Sequence, residues 1–517
     1  MRCWADEFSA LRDRYRERVG IVDIDGAHTI ADVFEQAAGI ADRLQSQGLR
    51  VGDYIATAFY NSALAAAASY AVSLIGAIDV PINPVLSHAD IEHALRLTGA
   101  RIVLYDAASK PLPVLSVPVE NVRQITRRPL SQAGWPEVDL DAPSRIVFTS
   151  GTTGPAKGAI HTHRGRWTGT LLLRASLPFR PDSRNRVLLM TPFSHGSSLL
   201  TFAYLAQGAS VHMLQGVDPD TVLPLLAEGE ITEMFAPPTV LAKITEAAAS
   251  VTYAHLKPRL QTILTGTAPL TPAVYRNAVK YFGNIIRVTY GKSEIFNPIT
   301  ILDPQETDKA YAQHAGEGLC VGWAASGVRI EIRDENSAVL PQGSVGQIYL
   351  HAEHMFAGYI TNKGWHMLAP NEFHDTGDVG CMDEHGRLYL VARESDMIKS
   401  GGYKISPDEI EQSLAQVVSD AELVVLGYPS DYWGEIVTVV AQRPPVDWQE
   451  SLNLALVHMT PYKRPRLFVE IDEIPRNSIG KISRAQLRQW LVENFDLIEK
   501  PHPAFVAKTK TQRGSGQ

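Results

Sequence analysis

The stretch Thr149-Ser-Gly-Thr-Thr-Gly-Pro-Ala-Lys-Gly158 follows an apolar run, Arg145–Phe148, that is typical of a β-strand, and precedes a segment expected to be helical from about Arg164. It holds three glycines, four hydroxyl side chains and one lysine. Glycines let the backbone approach an anion closely, hydroxyl and N–H groups donate hydrogen bonds, and a lysine supplies positive charge. A flexible surface loop rarely combines all these groups, so we interpret the stretch as a phosphate-binding loop.

Two familiar phosphate-binding patterns do not fit this loop. The P-loop ends in Gly-Lys-Ser/Thr, whereas here Lys157 precedes Gly158 and no hydroxyl residue follows the lysine. The glycine spacing of the dinucleotide-binding fingerprint is also absent. The ligand must therefore be identified from the rest of the chain.

Composition limits the classes of protein to consider. A chain of 517 residues, 45% hydrophobic and 20% charged, is too long for a single core and predicts two or three globular domains. Its net charge of −8, without a long basic run, argues against nucleic-acid binding. The three cysteines, Cys3, Cys320 and Cys381, are far apart in sequence, so we expect no disulfide framework and favour a cytoplasmic location.

One segment, Tyr54–Ile78, carries no charged residue and has to be considered as a membrane span. A spanning helix needs about 20 strongly apolar residues. Polar residues such as Asn61 and Ser69 interrupt this segment, and it is rich in alanine. We therefore interpret it as a strand, a buried helix and a second strand, and expect no membrane span.

Short apolar runs alternate with helical patterns on both sides of the loop, from Ile21 to Asp106 and from Val187 to Thr289. This alternation predicts an α/β fold with parallel sheets covered on both faces. Ligands of such sheets bind at the carboxyl ends of the strands. Three of these ends carry unusual polar residues: Thr191–His195, Thr265–Leu270 and Thr289–Glu294.

The pattern changes twice in the C-terminal part of the chain. From about Val328 the sequence indicates a β-rich meander, and a break follows near Arg393–Asp396. Beyond the break we expect a compact α/β unit that ends near Phe495. The polar segment Pro501–Gln517 is typical of a frayed tail.

Taken together, the motifs closely resemble those of the adenylate-forming superfamily, which comprises acyl-CoA synthetases, peptide-synthetase adenylation domains and beetle luciferases. The resemblance covers roughly residues 20 to 495 and rests on the order of the motifs along the chain. These motifs are Thr149–Gly158, Pro192–His195, Gly266–Pro269, Tyr290–Glu294, Thr376–Asp378 with Arg393, Lys399–Glu411 and Pro475–Arg484.

The resemblance implies a particular domain organisation. Residues 1–392 would form a large N-terminal domain of two doubly wound α/β subdomains plus a small β-barrel-like subdomain. Residues 393–396 would be a hinge centred on Ser395, or on its neighbour Asp396. Residues 397–500 would form a small mobile α+β domain, and residues 501–517 a flexible tail.

The resemblance also implies an activity, the formation of an acyl-adenylate from a carboxylic acid and ATP. Lys481 would bridge the carboxylate and the α-phosphate, and Glu294 would bind Mg²⁺, which prefers carboxylate and phosphate oxygens. Tyr290 would stack on adenine, and Asp378 and Arg393 would hold the ribose. The implied ATP-binding residues are Thr149, Ser150, Gly151, Thr152, Thr153, Gly154, Lys157, Gly266, Thr267, Ala268, Tyr290, Gly291, Ser293, Asp378 and Arg393.

After adenylation, the C-terminal domain of this family rotates, which would remove Lys481 from the site. A loop implied to bind coenzyme A would then line a thiol tunnel; its residues are Ser400, Gly401, Gly402 and Tyr403. The implied acyl pocket comprises His195, as a gate and catalytic-site residue, with Gly196, Phe235 and Lys292. Lys292 could contact an oxygen-bearing substrate, or it could screen phosphate or face solvent.

The chain departs from the family pattern at a few positions. Pro155 and Ala156 stand where the family has a residue followed by proline, which predicts an altered loop stiffness. Ser395 replaces the usual Asp or Lys of the hinge, and Ser293 replaces a threonine but keeps its hydroxyl.

The function expected from these residues is that of a carboxylic acid:CoA ligase for an aromatic, alicyclic or medium-chain acid. The alternative is an acyl-AMP ligase that loads a separate phosphopantetheine carrier protein. A non-catalytic nucleotide-binding protein is disfavoured, because Lys157, Glu294, Asp378, Arg393 and Lys481 are all retained.

Overall fold

The computed structural model confirms the predicted α/β fold class. It describes residues 3–108, 112–131, 134–149, 157–250, 259–268, 270–312, 318–400, 403–415, 417–418, 421–457, 459–476, 481–498 and 503–508. Within these ranges, no helix combines the length and the hydropathy needed to cross a membrane.

The N-terminal third contains eight strands and five helices within its described residues. They are α1 (Cys3–Tyr15), β1 (Val19–Asp23), β2 (Gly26–Thr29), α2 (Ile30–Ser46), β3 (Tyr54–Ala58), α3 (Ala63–Leu74), β4 (Ile78–Ile82), α4 (His88–Thr98), β5 (Ile102–Tyr105), β6 (Val119–Asn121), β7 (Pro143–Thr149), β8 (Lys157–Thr162) and α5 (His163–Ala175). Helix α2 begins at a reciprocal cap, in which Thr29 and Asp32 each accept a hydrogen bond from the other's backbone N–H.

The middle of the chain continues the alternation of strand and helix. Its elements are β9 (Arg186–Leu189), α6 (Ser198–Leu205), β10 (Ser210–Met213), α7 (Pro219–Ala227), β11 (Glu233–Phe235), α8 (Pro238–Ser250), β12 (Thr262–Thr265), α9 (Pro272–Phe282), β13 (Ile286–Tyr290), β14 (Thr300–Leu302) and α10 (Pro304–Ala312).

An antiparallel segment follows, as the β-rich pattern predicted. Its strands are β15 (Leu319–Ala324), β16 (Arg329–Arg333), β17 (Gly346–His351), β18 (Gly358–Thr361), β19 (Gly364–Met367), β20 (His374–Met382) and β21 (Leu388–Arg393).

The C-terminal unit contains β22 (Ile398–Ser400), β23 (Tyr403–Ile405), α11 (Pro407–Ala415), β24 (Glu422–Ser430), β25 (Gly434–Gln442), α12 (Trp448–Leu456), β26 (Leu467–Ile471), α13 (Arg484–Asn494), β27 (Phe495–Ile498) and β28 (Ala504–Ala507). Its buried apolar residues form two clusters that contain only residues from Ile398 onward. A separate hydrophobic core is the defining property of a domain.

Two large sheets organise the N-terminal part among the described residues. One has the order β19-β18-β8-β7-β4-β3-β5-β6, and the other β16-β17-β20-β21-β15-β14-β13-β12-β11-β9-β10-β1-β2. Strands β10, β9, β11, β12 and β13 run parallel, so their carboxyl ends meet at one edge of the second sheet. Strands β14 and β15 join this parallel region to the antiparallel strands, which brings β20 towards the same edge.

The expectation of a flexible tail over residues 501–517 is wrong for part of that segment. Residues Ala504–Ala507 form β28, which pairs antiparallel with β27. The ring centroid of Phe505 lies 4.7 Å from that of Tyr428 and 5.1 Å from that of Phe495. The strand pairing and these ring contacts hold Ala504–Ala507 in place. The polar residues around this segment had led to the expectation that it would fray.

Candidate active site

The predicted nucleotide residues lie at the carboxyl edge of the parallel strands. Phe235 ends β11, the Gly266–Ala268 turn follows β12, and the Tyr290–Glu294 turn follows β13. A Cβ atom on Gly266 would lie 2.4 Å from the carbonyl oxygen of Thr289, so only glycine lets these two turns approach each other. The two motifs are therefore held side by side by their backbones.

The phosphate loop is described only at its two ends. Thr149 ends β7 and pairs with Lys157, the first residue of β8, in an antiparallel register. The predicted contacts of Ser150, Gly151, Thr152, Thr153 and Gly154 lie outside the described residues, as do those of Gly401 and Gly402.

Asp378, on β20, is the centre of a polar cluster. The Tyr290 hydroxyl donates a hydrogen bond to its Oδ2 atom, and Nε of Arg393 lies 3.7 Å from its Oδ1 atom. Asp378 and Arg393 are register partners across β20 and β21. Burial, and then the negative charge of Asp378, raises the pKa of Tyr290 well above its usual value, so this hydroxyl stays protonated as a donor.

Lys292, which was predicted to line the acyl pocket, lies in this cluster. Its ammonium lies 3.2 Å from Oδ2 of Asp378 and also donates to the carbonyl oxygen of Thr376. The physical reason is charge compensation, because the Asp378 side chain is only 12% exposed and a mostly buried carboxylate needs a nearby cation.

Lys481 reaches the same cluster from the C-terminal domain. Its ammonium donates a hydrogen bond to the carbonyl oxygen of Thr267 in the turn after β12. Thr267 has φ +70°, a left-handed conformation that costs a β-branched residue about 1–3 kcal/mol. Such strain is typical of functional sites, and here it falls on the residue whose carbonyl receives the lysine.

The surroundings of Lys481 destabilise its ammonium form, which nevertheless predominates at pH 7. Burial lowers its pKa to about 8, and the positive charges of Arg393 and Lys292 act in the same direction, whereas Asp378 opposes them. Two neighbouring cations and one carboxylate leave a local excess of positive charge around this partly desolvated lysine. Binding of an additional anion would therefore stabilise its ammonium form.

Glu294, the predicted metal ligand, is buried behind this cluster. Its Oε1 atom accepts a hydrogen bond of 2.5 Å from the Tyr359 hydroxyl, and its carbonyl oxygen accepts from the backbone N–H of Phe356. The preceding carbonyl, that of Ser293, lies 2.7 Å from Nε2 of His161 on β8. The turn that carries Glu294 is thus attached to both sheets.

His195 lies in an irregular turn, Phe193–Ser197, that follows β9. Burial lowers its pKa to about 4, with further contributions from Arg145 and Lys481, so the ring is neutral at neutral pH. Oγ of Ser198 donates to the His195 carbonyl oxygen and accepts from Nη2 of Arg145. A neutral imidazole suits a wall or gate better than a general acid.

Gly196 and Phe235 face each other beside His195. A Cβ atom on Gly196 would find Cε1 of Phe235 at 4.0 Å as its nearest neighbour. The structure therefore brings three of the four predicted acyl-pocket residues together, and the fourth, Lys292, lies with Asp378.

The C-terminal domain presents the remaining predicted residues. Ser400 and Tyr403 are register partners that flank the undescribed glycines. The Tyr403 ring is exposed and stacks on Tyr462, with ring centroids 4.2 Å apart and an interplanar angle of 8°. Ser395, the predicted hinge residue, lies in a short 3₁₀ turn, Glu394–Asp396, between the two domains.

Arg484 contacts three carboxylates near this turn. Its guanidinium nitrogens lie 3.3 Å from Asp396, 2.5 Å from Asp408 and 2.7 Å from Glu411. Burial raises the pKa of Glu411 to about 7, although Arg484 opposes that rise. The Glu394–Asp396 turn, which is the predicted hinge, is therefore connected through Asp396 to the helix that follows Lys481.

Sequence reasoning missed the site roles of Tyr359, His374 and His161. Tyr359 lies in a four-residue strand, and His161 lies three residues after the phosphate-loop motif as an ordinary strand residue. Alternation along β20 could have flagged His374, because it shares a strand face with Thr376 and Asp378.

The fold and this arrangement of side chains define a class of protein: a nucleotide-dependent enzyme whose site lies between a large α/β domain and a small C-terminal domain. The chain belongs to the AMP-binding enzyme family, because a model of that family matches residues 8–360, well over half of its length.

Comparison with individual proteins agrees with this assignment. The chain is 28% identical over 483 residues to a 2-succinylbenzoate–CoA ligase of Bacillus licheniformis, with 91% of this chain and 96% of that protein covered. It is 27% identical over 493 residues to the long-chain-fatty-acid–CoA ligase FadD13 of Mycobacterium tuberculosis, with 89% and 92% covered.

A solved structure shares the whole fold. o-Succinylbenzoate CoA synthetase (MenE) from Bacillus subtilis, in complex with its acyl-adenylate intermediate OSB-AMP, superposes with a TM-score of 0.80 at 24% identity. The match covers 93% of this chain and 97% of that one.

Proposed function

We propose that the protein is an ATP-dependent carboxylic acid:coenzyme A ligase of the AMP-forming type. In the first step a carboxylate oxygen attacks the α-phosphorus of ATP, the bond to the bridging oxygen breaks, and pyrophosphate leaves. In the second step the thiol of coenzyme A loses its proton, its sulfur attacks the acyl carbon, and AMP leaves. The products are an acyl-CoA thioester, AMP and pyrophosphate.

The contact between Lys481 and the Thr267 carbonyl carries this proposal. It is a hydrogen bond from the C-terminal domain into the turn predicted to hold adenine. A cation in this place can neutralise the acid's carboxylate and the α-phosphate oxygens together as they approach. Positioning and charge stabilisation supply most of the rate enhancement in such phosphorus chemistry.

We assign the nucleoside to the Asp378 cluster. The carboxylate of Asp378 can accept hydrogen bonds from both ribose hydroxyls, with Arg393 beside it as a brace. Tyr290 would offer its ring to adenine, next to the Gly266–Ala268 backbone. Lys292 would keep the charge of Asp378 compensated from the side opposite Arg393.

Glu294 fits a magnesium ion that is shared with the phosphates of ATP. Mg²⁺ takes one or two protein carboxylates and completes its shell with phosphate oxygens and water. Among the described residues no group of three or more His, Cys, Asp and Glu side chains lies together as a cage. When bound, the ion would neutralise phosphate charge, while Glu294 holds it and Lys157 binds the phosphates from the loop.

The thioester step would use a different arrangement of the two domains. The C-terminal domain has its own core and carries both Lys481 and the Ser400–Tyr403 loop. Rotation about the Glu394–Asp396 turn would withdraw Lys481 and bring the loop to the acyl-adenylate. Close approach of a narrow pantetheine arm explains the two glycines of that loop.

The acid is proposed to be aromatic, alicyclic or of medium chain length. Gly196 and Phe235 offer an apolar wall, and the neutral His195 ring closes it. The name of the first relative, a 2-succinylbenzoate–CoA ligase, supports the aromatic part of this range, whereas the second relative is named for long-chain fatty acids, which are longer than the acids proposed here. We also propose a cytoplasmic location, where ATP and coenzyme A are available.

A panel of carboxylic acids, assayed with ATP in the presence and absence of coenzyme A, tests the proposed function. We expect acid-dependent pyrophosphate release and, with coenzyme A, an acyl-CoA product detected by mass spectrometry. Pyrophosphate release without any thioester would instead favour loading of a separate carrier protein. Absence of acid-dependent pyrophosphate across the panel would contradict the proposal.

A further inference from the structure

Tyr359 lies where three parts of the nucleotide site meet, although it belongs to none of the site motifs. On β18 it is the register partner of Ala159 on β8, two residues beyond Lys157. Residues two apart on a strand share a face, so Lys157 and Tyr359 are diagonal neighbours across the two strands. The Lys157 ammonium accordingly lies 5.7 Å from the centroid of the Tyr359 ring.

The hydroxyl of Tyr359 points towards Glu294. It donates the 2.5 Å hydrogen bond to Oε1 of Glu294, and Nε2 of His374 lies 3.5 Å from the same hydroxyl. In this contact the tyrosine hydroxyl is the donor and the Glu294 carboxylate is the acceptor.

Aromatic packing fixes the direction of this hydroxyl. The Phe356 ring meets Tyr359 edge-to-face at 4.7 Å and His374 at 4.8 Å. The backbone N–H of Phe356 also donates to the Glu294 carbonyl oxygen. One short segment thus holds both the backbone and the carboxylate of Glu294.

We propose that Tyr359 is a positioning residue for the magnesium-bound triphosphate. Its hydroxyl sets the rotamer of Glu294 and leaves the second carboxylate oxygen for the ion. Its ring supports Lys157 at the start of β8, so the metal ligand and the phosphate-binding cation keep a fixed separation. This inference rests on the proposed function and concerns the same site.

The first test compares two nucleotides in the variant Tyr359→Phe, which keeps the ring and removes the donor. Removing a hydrogen-bond partner of a metal ligand costs about 10–100-fold in metal affinity. We expect the dissociation constant of Mg·ATP to rise about tenfold on that basis, while that of AMP in EDTA is unchanged. Displacement of a fluorescent AMP analogue measures both constants.

The matched control is Tyr349→Phe, on β17 of the other large sheet. The Tyr349 ring packs beneath Arg333, at 4.6 Å from the guanidinium carbon. This variant should bind both nucleotides like the wild type. If Tyr359→Phe leaves the ratio of the Mg·ATP and AMP constants unchanged, or weakens both equally, the positioning role is wrong.

A double-mutant cycle separates the hydroxyl from general packing. In a Glu294→Gln background, Tyr359→Phe should change the Mg·ATP constant little, because the two side chains act as one unit. Tyr359→Leu also removes the ring, and its effect should be smaller in a Lys157→Ala background than in the wild type. Additive effects in both cycles would contradict the inference.

These results can be told apart from a failure of the proposed function. Wild-type protein that binds neither AMP nor Mg·ATP would overturn both proposals. Wild-type protein that binds both and forms acyl-adenylate, with Tyr359→Phe unaltered, would overturn the role of Tyr359 alone.

Discussion

The two halves of the site are built differently. In the N-terminal half, Asp378, Tyr290, Lys292 and Glu294 lie on or beside strands of a continuous sheet and are joined by hydrogen bonds between neighbouring elements. The C-terminal half supplies Lys481 from a domain with its own core. A site that catalyses two successive reactions needs one fixed half, which holds the nucleotide. In its other half, one set of residues must be replaceable by another between the two reactions.

Replacement of Lys481, the cation supplied by the C-terminal domain, should give the largest effect on activity. Lys481→Ala removes the positive charge between the acid and the α-phosphate, so we expect adenylation to fall by about 100-fold or more. Thioester formation from supplied acyl-adenylate should stay close to the wild-type rate. Single-turnover assays of each half-reaction measure both effects.

The control for this variant is Lys508→Ala, in the same domain, where the ammonium bonds the Val492 carbonyl. It should leave both half-reactions intact. Equal loss of both half-reactions in Lys481→Ala would contradict the division of labour between the two domain arrangements.

A change in the fixed half should alter affinity and pH dependence together. Asp378→Asn removes the acceptor charge for ribose, and we expect nucleotide affinity to fall by about tenfold, as for loss of a charge-assisted hydrogen bond. Competitive binding of AMP measures this, and unchanged affinity would remove Asp378 from the ribose site.

The pH profile follows from Lys481. Its pKa is lowered to about 8, and only its protonated form can neutralise the two anions, so kcat/KM for adenylation should fall as the pH rises through about 8. Asp378 raises that pKa, so Asp378→Asn should move this limb to lower pH. If the decrease of kcat/KM at high pH occurs at the same pH in Asp378→Asn as in the wild type, Lys481 is not electrostatically coupled to Asp378.

A smaller effect on the half-reaction rates is expected when the contact between Asp396 and Arg484, near the junction of the two domains, is weakened. Asp396→Asn weakens one of the three contacts of Arg484 and leaves Asp408 and Glu411 in place. A partly exposed ion pair contributes up to about 1 kcal/mol, which corresponds to about a fivefold change in the domain equilibrium. The ratio of the two half-reaction rates should shift by that factor, whereas a changed nucleotide affinity would indicate a role in the N-terminal site instead.

The smallest effect on activity should come from β28. Phe505→Ala removes ring contacts with Tyr428 and Phe495, so thermal unfolding of the C-terminal domain should occur at lower temperature, by the equivalent of about 1 kcal/mol. Both half-reactions should keep their wild-type rates at low temperature. A loss of activity without a lower unfolding temperature would instead indicate that β28 takes part in catalysis.

The elements of the parallel sheet could be predicted from sequence because their patterns are local. Helix α9, Pro272–Phe282, has the bounds that its apolar spacing indicates, and so does β26, Leu467–Ile471, in the sheet of the C-terminal domain. Helix α1 also had a readable pattern, with Trp4, Phe8 and Leu11 buried at helical spacing. Strand β28 had no such pattern, since its order comes from pairing with β27.

The polar partners in the site could not be deduced in the same way. Lys292 lies in the turn after β13 and Asp378 lies on β20, 86 positions away, and nothing in either motif specifies the contact. Tyr359 and Glu294 meet only because β18 joins one sheet while the turn after β13 extends from the other. Motifs indicate which residues take part, and tertiary packing decides which of them touch.

Identification of the nucleotide product tests the central claim most directly. Purified protein, ATP, Mg²⁺ and an accepted acid, without coenzyme A, should give acyl-AMP and pyrophosphate in equal amounts, separated and quantified by chromatography with mass spectrometry. That result would show cleavage between the α- and β-phosphates at the Lys481 site. ADP and phosphate as products, or ATP hydrolysis that is independent of the acid, would contradict the account.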